Sequence, residues 1–244
     1  TLKFKSNPNS FNALQSMVDS CQNGVLNLAH DYTRDKSIDG DMTVTILKNL
    51  VINGNGYTVD SKNIGGVFKI EKNVNVEINN LNIVNSQSDF GAAIYAYANS
   101  MAVNNCRFVN CSVKFDGGAI NMIGKRFTIS NSTFINNTAN KAGGSLSVAG
   151  TNNVIRDCIF INSNSGEDGC FIYLGGNSRL NLTNSIFLTH SLAKYFNKPV
   201  GDKSIVNVTA NIENNWFGGT NDNIVKNYNM LNNFTVKSLL YLNA

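Results

Sequence analysis

One group of acidic residues is close enough in sequence to bind a metal ion. Asp39 and Asp41 flank a single glycine, and Asp31 and Asp35 precede them by a few residues. Carboxylate oxygens are the ligands that calcium prefers in proteins. The spacing is compatible with a calcium site at Asp39 and Asp41, but a solvent-exposed turn explains the same residues and is the interpretation we favour.

A different set of carboxylates is the candidate for cleavage of a polysaccharide. Such cleavage uses two acids that converge on one bond, or a carboxylate-bound calcium ion with a basic residue. The candidates are Asp116, Glu167 and Asp168, which lie in two different copies of the repeat described below. The copy between them has Ala142 and Gly143 instead, so the acids are not predicted to converge. We predict no catalytic residues and no enzyme, and keep a polysaccharide lyase or glycoside hydrolase as the alternative.

Two aromatic residues and one cation are candidates for binding. Tyr95 and Tyr97 alternate with apolar residues, which predicts that both rings point outward from a strand. Aromatic rings suit the faces of sugars and the centres of protein interfaces. We predict a ligand-binding patch of Tyr95, Tyr97 and nearby Arg107. The alternative is two tyrosines on an ordinary surface.

The other metal-binding or redox-active groups are isolated. His30 and His190 stand alone, and the five cysteines include no Cys-x-x-Cys pair, so neither a zinc site nor a cofactor is predicted. Cys106 and Cys158 are predicted to share a column with Ser132 between them. Two strand spacings separate them by about 9.6 Å, which is beyond disulfide reach. We predict free thiols.

A repeat of about 26 residues must position all of these side chains. Its clearest marker is an asparagine three positions before a phenylalanine. The marker occurs at Asn105/Phe108, Asn131/Phe134, Asp157/Phe160 and Asn184/Phe187, with related pairs at Asn49/Ile52, Asn80/Ile83 and Asn214/Phe217. A fixed period of this size indicates stacked supersecondary units, here seven of them. Residues 191–204 lengthen one interval and are interpreted as a surface loop.

Each copy of the repeat predicts three short strands. In the fourth copy, apolar residues alternate over residues 119–123, 126–129 and 133–136, and a period of two indicates strand. Asparagine and glycine occupy the turns because both tolerate positive φ. Strands with no helix between them exclude a leucine-rich repeat. We predict an all-β fold, a parallel β-helix with three short strands per coil and about seven coils.

Equivalent residues of such a fold stack in columns about 4.8 Å apart. We predict a phenylalanine column inside the helix and a ladder of side-chain amides along one corner. These structural columns are Phe108, Phe134, Phe160 and Phe187, and Asn80, Asn105, Asn131, Asp157 and Asn184. Strict alternation would expose the residues that follow the phenylalanines. We favour a bend that buries this second column, against an exposed apolar stripe, for Val84, Val109, Ile135, Ile161 and Leu188.

The ends of a β-helix expose unpaired strand edges and need caps. Residues 10–22 begin with Ser10, a favoured helix-capping residue, and continue with apolar residues at helical spacing. We therefore predict a capping helix at the N-terminal end. The predicted division of the chain is 1–41 for this cap, 42–219 for the β-helix, and 220–244 for a tail or the start of a next domain.

Composition limits the classes of partner. Charged residues make up only 15% of the 244 residues, and the net charge is +4. Lysine and arginine do not gather in runs, so nucleic acid is not predicted as a partner. No apolar run reaches the length of a membrane span, so no membrane insertion is predicted. Because the chain begins with Thr1, we interpret it as a fragment of a longer chain.

Short motifs along the chain resemble the adhesin-like surface proteins of methanogenic archaea. Residues 10–19 (Ser-Phe-Asn-Ala-Leu-Gln-Ser-Met-Val-Asp) and 50–60 (Leu-Val-Ile-Asn-Gly-Asn-Gly-Tyr-Thr-Val-Asp) match the usual opening of that family. Residues 214–218 (Asn-Asn-Trp-Phe-Gly) are similar to its closing signature, with a phenylalanine in place of a second tryptophan. Gly-Gly-Ala-Ile at 117–120 and Phe-Ile-Asn-Asn at 134–137 also resemble repeats of chlamydial polymorphic outer-membrane proteins.

The resemblance implies a right-handed parallel β-helix that is extracellular and displayed at the cell surface. It implies non-catalytic attachment, with a glycan or a surface protein of another cell as the partner, within a longer surface-anchored chain. It adds no catalytic residues. Besides the glycan-cleaving enzyme considered above, a structural spacer that holds a distal domain off the cell surface stays open.

Overall fold

The structure is a computed structural model that describes residues 7–188, 200–202, 209–216 and 234–239. The chain is an all-β parallel β-solenoid of about six turns with few helices. The predicted fold class is therefore confirmed. The seventh predicted copy contains Phe217, which lies outside the described residues. The right-handedness that the resemblance implies stays a prediction.

The described residues form two short helices and a long series of short strands. In chain order these are α1 (Phe11–Ser20), β1 (Val25–Asn27), β2 (Tyr32–Thr33), α2 (Lys36–Asp39), β3 (Val44–Ile46), β4 (Leu50–Asn53), β5 (Thr58–Asp60), β6 (Phe68–Ile70), β7 (Asn75–Asn79), β8 (Asn82–Val84), β9 (Gln87–Ser88), β10 (Ile94–Ala96), β11 (Ser100–Asn104), β12 (Arg107–Val109), β13 (Ser112–Val113), β14 (Ile120–Gly124), β15 (Arg126–Ser130), β16 (Thr133–Ile135), β17 (Thr138–Ala139), β18 (Leu146–Gly150), β19 (Asn153–Arg156), β20 (Ile159–Ile161), β21 (Asn164–Ser165), β22 (Ile172–Leu174), β23 (Arg179–Thr183), β24 (Ile186–Leu188), β25 (Val200–Asp202), β26 (Thr209–Asn215) and β27 (Phe234–Leu239).

Four parallel sheets form the walls of the solenoid. Sheet A has the order β1-β4-β7-β11-β15-β19-β23-β26-β27, sheet B β2-β5-β8-β12-β16-β20-β24, sheet C β25-β22-β18-β14-β10-β6-β3, and sheet D β21-β17-β13-β9. In the central turns the chain passes through sheets A, B, D and C in that order. The three strands predicted for the fourth copy correspond to β14, β15 and β16 within one residue at each end. Sheet D, whose strands have two residues each, was not predicted because so short a strand shows no alternation.

The register of sheet B corrects the start of the predicted repeat. Ile83 pairs with Val59, and Val59 pairs with Tyr32. Ile52, which we aligned with this column, lies in sheet A and pairs with Ile78. Asn49 lies three positions before Ile52 of β4, which is the same spacing as in sheet B. The marker alone therefore did not distinguish sheet A from sheet B.

A stack of phenylalanine rings fills the interior beneath sheet B. The centroid distances along Phe108, Phe134, Phe160 and Phe187 are 4.9, 4.8 and 4.7 Å, and the rings are nearly parallel. All four side chains are fully buried. Because the strands pair one coil apart in register, each ring packs on its equivalent, and dispersion between the faces adds to the burial of apolar area.

The corner between sheets A and B requires asparagine mainly for its backbone conformation. Asn80, Asn105, Asn131, Asp157 and Asn184 all have positive φ, between 50° and 56°. Asn105 Nδ2 donates to Asn80 Oδ1 at 3.3 Å, and Asn184 Nδ2 donates to Asp157 Oδ1 at 3.3 Å. The predicted ladder is interrupted at Asn131, whose amide donates elsewhere. The left-handed conformation is the feature common to the whole column, since asparagine adopts it more readily than other non-glycine residues.

A further row of amides, which we did not predict, runs along the outer face of sheet A. Asn53 Nδ2 donates to Asn27 Oδ1 at 2.8 Å, and Asn79 Nδ2 donates to Asn53 Oδ1 at 3.3 Å. Asn104 continues the row and accepts hydrogen bonds from Ser130 Oγ at 3.0 Å and from Asn131 Nδ2 at 2.9 Å. Two amide rows therefore run side by side along this edge of sheet A.

The expected bend that would bury the column after the phenylalanines does not occur. Alternation holds in sheet B, with the central residue of β8, β12, β16, β20 and β24 buried and the following residue half-buried. Val84, Val109, Ile135, Ile161 and Leu188 thus form a half-buried apolar stripe on the outer face of sheet B.

The predicted helix covers the N-terminal end of the solenoid. Ser10 is the N-cap of α1, and its side chain accepts a hydrogen bond from Ala13 N at 3.2 Å. Phe11, Leu14 and Val18 face the core and are buried, which separates the first coil from solvent. The predicted domain boundaries at residues 41 and 219 stay predictions.

The interval that we interpreted as an inserted loop falls largely outside the described residues. Val200 of β25 pairs in register with Ile172 of β22, so sheet C continues into this coil. The surface loop at 191–204 stays a prediction.

Substitutions of Asn105 separate backbone conformation from the amide ladder. Asn105→Ala should lower the free energy of unfolding by about 1 kcal/mol, because alanine is strained at positive φ. Asn105→Gly should stay within about 0.5 kcal/mol of wild type, because glycine adopts this conformation freely. Chemical denaturation of both variants measures the difference. Equal destabilisation by glycine and alanine would instead assign the main effect to the amide hydrogen bond.

Candidate binding surface

Tyr95 and Tyr97 lie side by side on the outer face of the solenoid. Tyr95 is the central, half-buried residue of β10, between buried Ile94 and Ala96, and Tyr97 is also half-buried. Their rings meet edge to face with centroids 5.1 Å apart, and the phenol oxygens are 2.5 Å apart in a hydrogen bond. Burial and this hydrogen bond raise the pKa of Tyr95. The pair is therefore held in one geometry.

Two phenylalanines extend this pair. Phe90 stacks on Tyr95 with centroids 5.7 Å apart, and Phe115 stacks on Phe90 at 4.8 Å. Both occupy the corner between sheets D and C, and Phe115 N donates to Asp89 O one coil away. The four half-buried rings of Phe90, Tyr95, Tyr97 and Phe115 are called the aromatic patch below.

We did not predict the two phenylalanines of the patch, although the sequence carries a weak signal for them. Phe90 and Phe115 precede the glycine markers Gly91 and Gly117 in consecutive copies of the repeat. Their spacing of one residue less than the usual period concealed their alignment. A search for aromatic residues near equivalent turns would have found them.

Lysine ammonium groups border the aromatic patch on two sides. Lys72 Nζ lies 5.9 Å from the Tyr97 ring centroid, and Lys141 Nζ lies 5.0 Å from the Phe115 ring centroid. These distances are within cation–π range. Within the described part of the chain, neither ammonium group is in a salt bridge, unlike the nearby pairs Lys69–Glu71 at 2.5 Å and Lys114–Asp89 at 3.1 Å.

The structure places Arg107 on a different face from the two tyrosines, so the predicted grouping is wrong. Arg107 begins β12 of sheet B and is exposed. Tyr95 lies on β10 of sheet C. Between them the chain passes along β11 of sheet A. Residues that are close in sequence can therefore lie on different faces of the solenoid.

The candidate calcium ligand Asp39 instead caps the first helix. Its buried carboxylate accepts hydrogen bonds from the backbone N–H groups of Phe11 at 3.1 Å, Asn12 at 2.9 Å and Asp35 at 2.8 Å. A carboxylate at a helix N-terminus is favoured by the helix dipole. Asp41 is exposed. The described residues contain no group of three or more histidine, cysteine, aspartate or glutamate residues suited to a metal ion.

Arg34 connects this cap to the first coils by hydrogen bonds. We did not predict this role from the sequence. Its buried guanidinium donates to Ser61 Oγ at 3.0 Å, Met42 O at 2.7 Å and Gly66 O at 2.7 Å. Its Cζ lies 4.1 Å from the centroid of the Phe11 ring. Burial lowers the pKa of Arg34, and the nearby acids of the cap oppose that shift. The residues around Arg34 in the sequence gave no sign of these partners.

Two of the three carboxylates considered for catalysis, those of Asp116 and Asp168, accept backbone hydrogen bonds at turns. Asp116 Oδ1 accepts from Ala142 N at 3.0 Å, and Asp168 Oδ1 accepts from Gly169 N at 2.9 Å. Ala142 pairs with Asp168 as an isolated bridge, which places one coil between the two acids. Two strand spacings separate them by about 9.6 Å, as the sequence predicted.

All five cysteines are free thiols, as predicted. Cys106, Cys111, Cys158 and Cys170 are buried, and Cys21 is partly exposed. Burial raises the pKa of Cys106 and Cys111 to about 11 and that of Cys158 and Cys170 to about 12. The four buried thiols therefore lack the thiolate character that nucleophilic or metal-binding cysteines need.

Among the described residues, no helix is long and apolar enough to cross a membrane. A comparison with protein-family models found no match, and searches of curated proteins and of solved structures found none either. The function must therefore be inferred from the chemistry of the surface.

The role of Asp39 can be tested with calcium. Asp39→Ala should lower the free energy of unfolding by about 1–3 kcal/mol, because it leaves three backbone donors without their acceptor. Added calcium chloride should leave the thermal midpoint of the wild type unchanged. Asp39→Asn keeps one acceptor oxygen, so its free energy of unfolding should lie between those of wild type and Asp39→Ala. A calcium-dependent rise in the midpoint that Asp39→Ala abolishes would restore the metal site.

Thiol labelling tests the burial of the cysteines. At about pH 8, a chromogenic aromatic disulfide should react with Cys21 alone in the native protein, since burial suppresses the thiolates of the others. All five cysteines should react in denaturant. A Cys21→Ser variant is the control and should show no rapid native reaction. Rapid reaction of that variant would contradict the packing described here.

Proposed function

We propose that this chain is a non-catalytic, extracellular attachment module that binds a glycan on the surface of another cell through its aromatic patch. The observation that carries the proposal is the contact among four aromatic rings on the outside of the solenoid, with two phenol groups among them. Phenyl faces can pack on the C–H faces of sugar rings, while phenol oxygens can hydrogen-bond to sugar hydroxyls.

The position of the patch on regular structure supports a binding role. Tyr95 lies on β10, which pairs in register with β6 and β14 on either side. Phe90 and Phe115 are fixed by mutual stacking at 4.8 Å. Rings that are already ordered lose little conformational entropy when a ligand binds, which favours affinity.

The use of the acidic residues supports binding over cleavage. The Asp116 and Asp168 carboxylates already accept backbone hydrogen bonds at the turns. An acid–base pair for glycan cleavage needs carboxyl groups directed at a common bond. Neither Asp116 nor Asp168 lies in the contacts that define the aromatic patch.

The cell-surface location in this proposal comes from the resemblance of the opening motifs, at residues 10–19 and 50–60, to archaeal adhesin-like proteins. A glycan-binding patch on a long, flat-sided solenoid suits such a location, because a stack of coils presents extended surfaces to a neighbouring cell. A spacer without binding activity would have no use for clustered aromatic rings outside the core.

A glycan array tests the proposal. Wild type should bind at least one glycan class, and Tyr95→Ala/Tyr97→Ala should bind it about tenfold or more weakly, since aromatic contacts dominate such surfaces. Arg107→Ala, on another face, is the matched control and should bind like wild type. Circular dichroism and thermal midpoints verify that each variant is folded.

Three outcomes would overturn parts of this function. Equal binding by the double variant would remove the aromatic patch from the site. Binding of a cell-surface protein but of no glycan would change the partner class. Release of reducing or unsaturated sugar ends during incubation would show an enzyme.

A further inference from the structure

We propose that the glycan recognised by the aromatic patch is acidic, and that Lys72 and Lys141 bind its uronic-acid carboxylates. This inference rests on the proposed function and names the chemical class of its ligand. It starts from the two ammonium groups that border the patch, 5.9 Å from the Tyr97 ring and 5.0 Å from the Phe115 ring.

Among the described residues, the salt bridges around the patch involve other lysines. Lys69 is paired with Glu71 at 2.5 Å, and Lys114 is paired with Asp89 at 3.1 Å. Asp116 is engaged with Ala142 N. In the described part of the chain, neither Lys72 nor Lys141 has a carboxylate within salt-bridge distance, and both are exposed.

The lysines lie at opposite ends of the patch along the solenoid axis. Lys72 follows β6, Tyr97 follows β10 one coil later, and Lys141 N donates to Phe115 O from the coil beyond that phenylalanine. Three coils therefore separate the two lysines, which is about 14 Å along the axis. The length suits an oligosaccharide segment that carries more than one charge.

Stacking explains why the charge should be a carboxylate of the sugar ring itself. The carboxyl carbon of a uronic acid is attached directly to a ring carbon. When that sugar packs on an aromatic face, its carboxylate lies at the edge of the contact. An ammonium group over a ring at the border of the patch can bind this carboxylate and keep its cation–π contact while the sugar packs on a neighbouring ring.

A matched pair of polymers tests the inference. Wild type should bind alginate, which carries a carboxylate on every sugar, at least fivefold more tightly than the same polymer after reduction of its carboxyl groups to alcohols. The preference should shrink as sodium chloride is added, because exposed ion pairs are screened by salt. Biolayer interferometry with immobilised polymer measures both effects.

Lysine substitutions assign the effect to the patch. Lys72→Gln/Lys141→Gln should bind alginate about fivefold or more weakly, a loss consistent with two surface ion pairs. The control is Arg126→Gln/Arg179→Gln, which removes the same net charge from exposed positions on sheet A and should bind like wild type.

The outcomes separate this inference from the proposed function. If the reduced polymer binds as tightly as alginate, or if both charge variants lose affinity equally, the acidic ligand is wrong while glycan binding stands. Tighter binding of dextran sulfate than of alginate would replace the carboxylate by a sulfate and overturn the inference. If Tyr95→Ala/Tyr97→Ala binds alginate like wild type, the aromatic patch and the proposed function fail together.

Discussion

The in-register parallel pairing of strands one coil apart is the constraint on which the rest of this structure depends. Phe108 pairs with Phe134, and Phe134 pairs with Phe160, so every side chain has its own equivalents as its nearest neighbours. A column is stable only if its residue type packs or bonds well with itself. Inside the solenoid, phenylalanine rings meet this requirement because they stack face to face. At the corners the backbone must adopt a positive φ, and asparagine tolerates that conformation.

The candidate binding surface obeys the same constraint as the core. Phe90 and Phe115 stack at 4.8 Å outside the solenoid, as Phe108 and Phe134 stack at 4.9 Å inside it. Lys141 occupies the next coil after Phe115 and continues the column with a cation in place of a ring. The patch therefore needs no mobile loop to order its residues, and a change of residue type along one column produces an aromatic region bordered by charge.

Sequence reasoning succeeded where the information was periodic and failed where it was not. The interior position of Phe134 and the strand predicted over 126–129, observed as β15, follow directly from alternation within a repeated unit. Ile52 was misplaced because β4 offers the same local pattern as sheet B. Arg107 was grouped with Tyr95 because sequence proximity suggested spatial proximity, whereas the chain passes from sheet C through sheet A to sheet B between them.

The sequence by itself determined the period, the choice of inward residues and the corner positions, because each depends on residues one coil apart or on the conformation of a single residue. Only the tertiary structure decided that Asp39 reaches the N-terminus of α1, that Arg34 bonds to Gly66 O, and that Phe90 meets Tyr95. These contacts join residues at different positions within the repeat. Their geometry depends on the angles between sheets and the path of each corner, which the spacing of residue types does not encode.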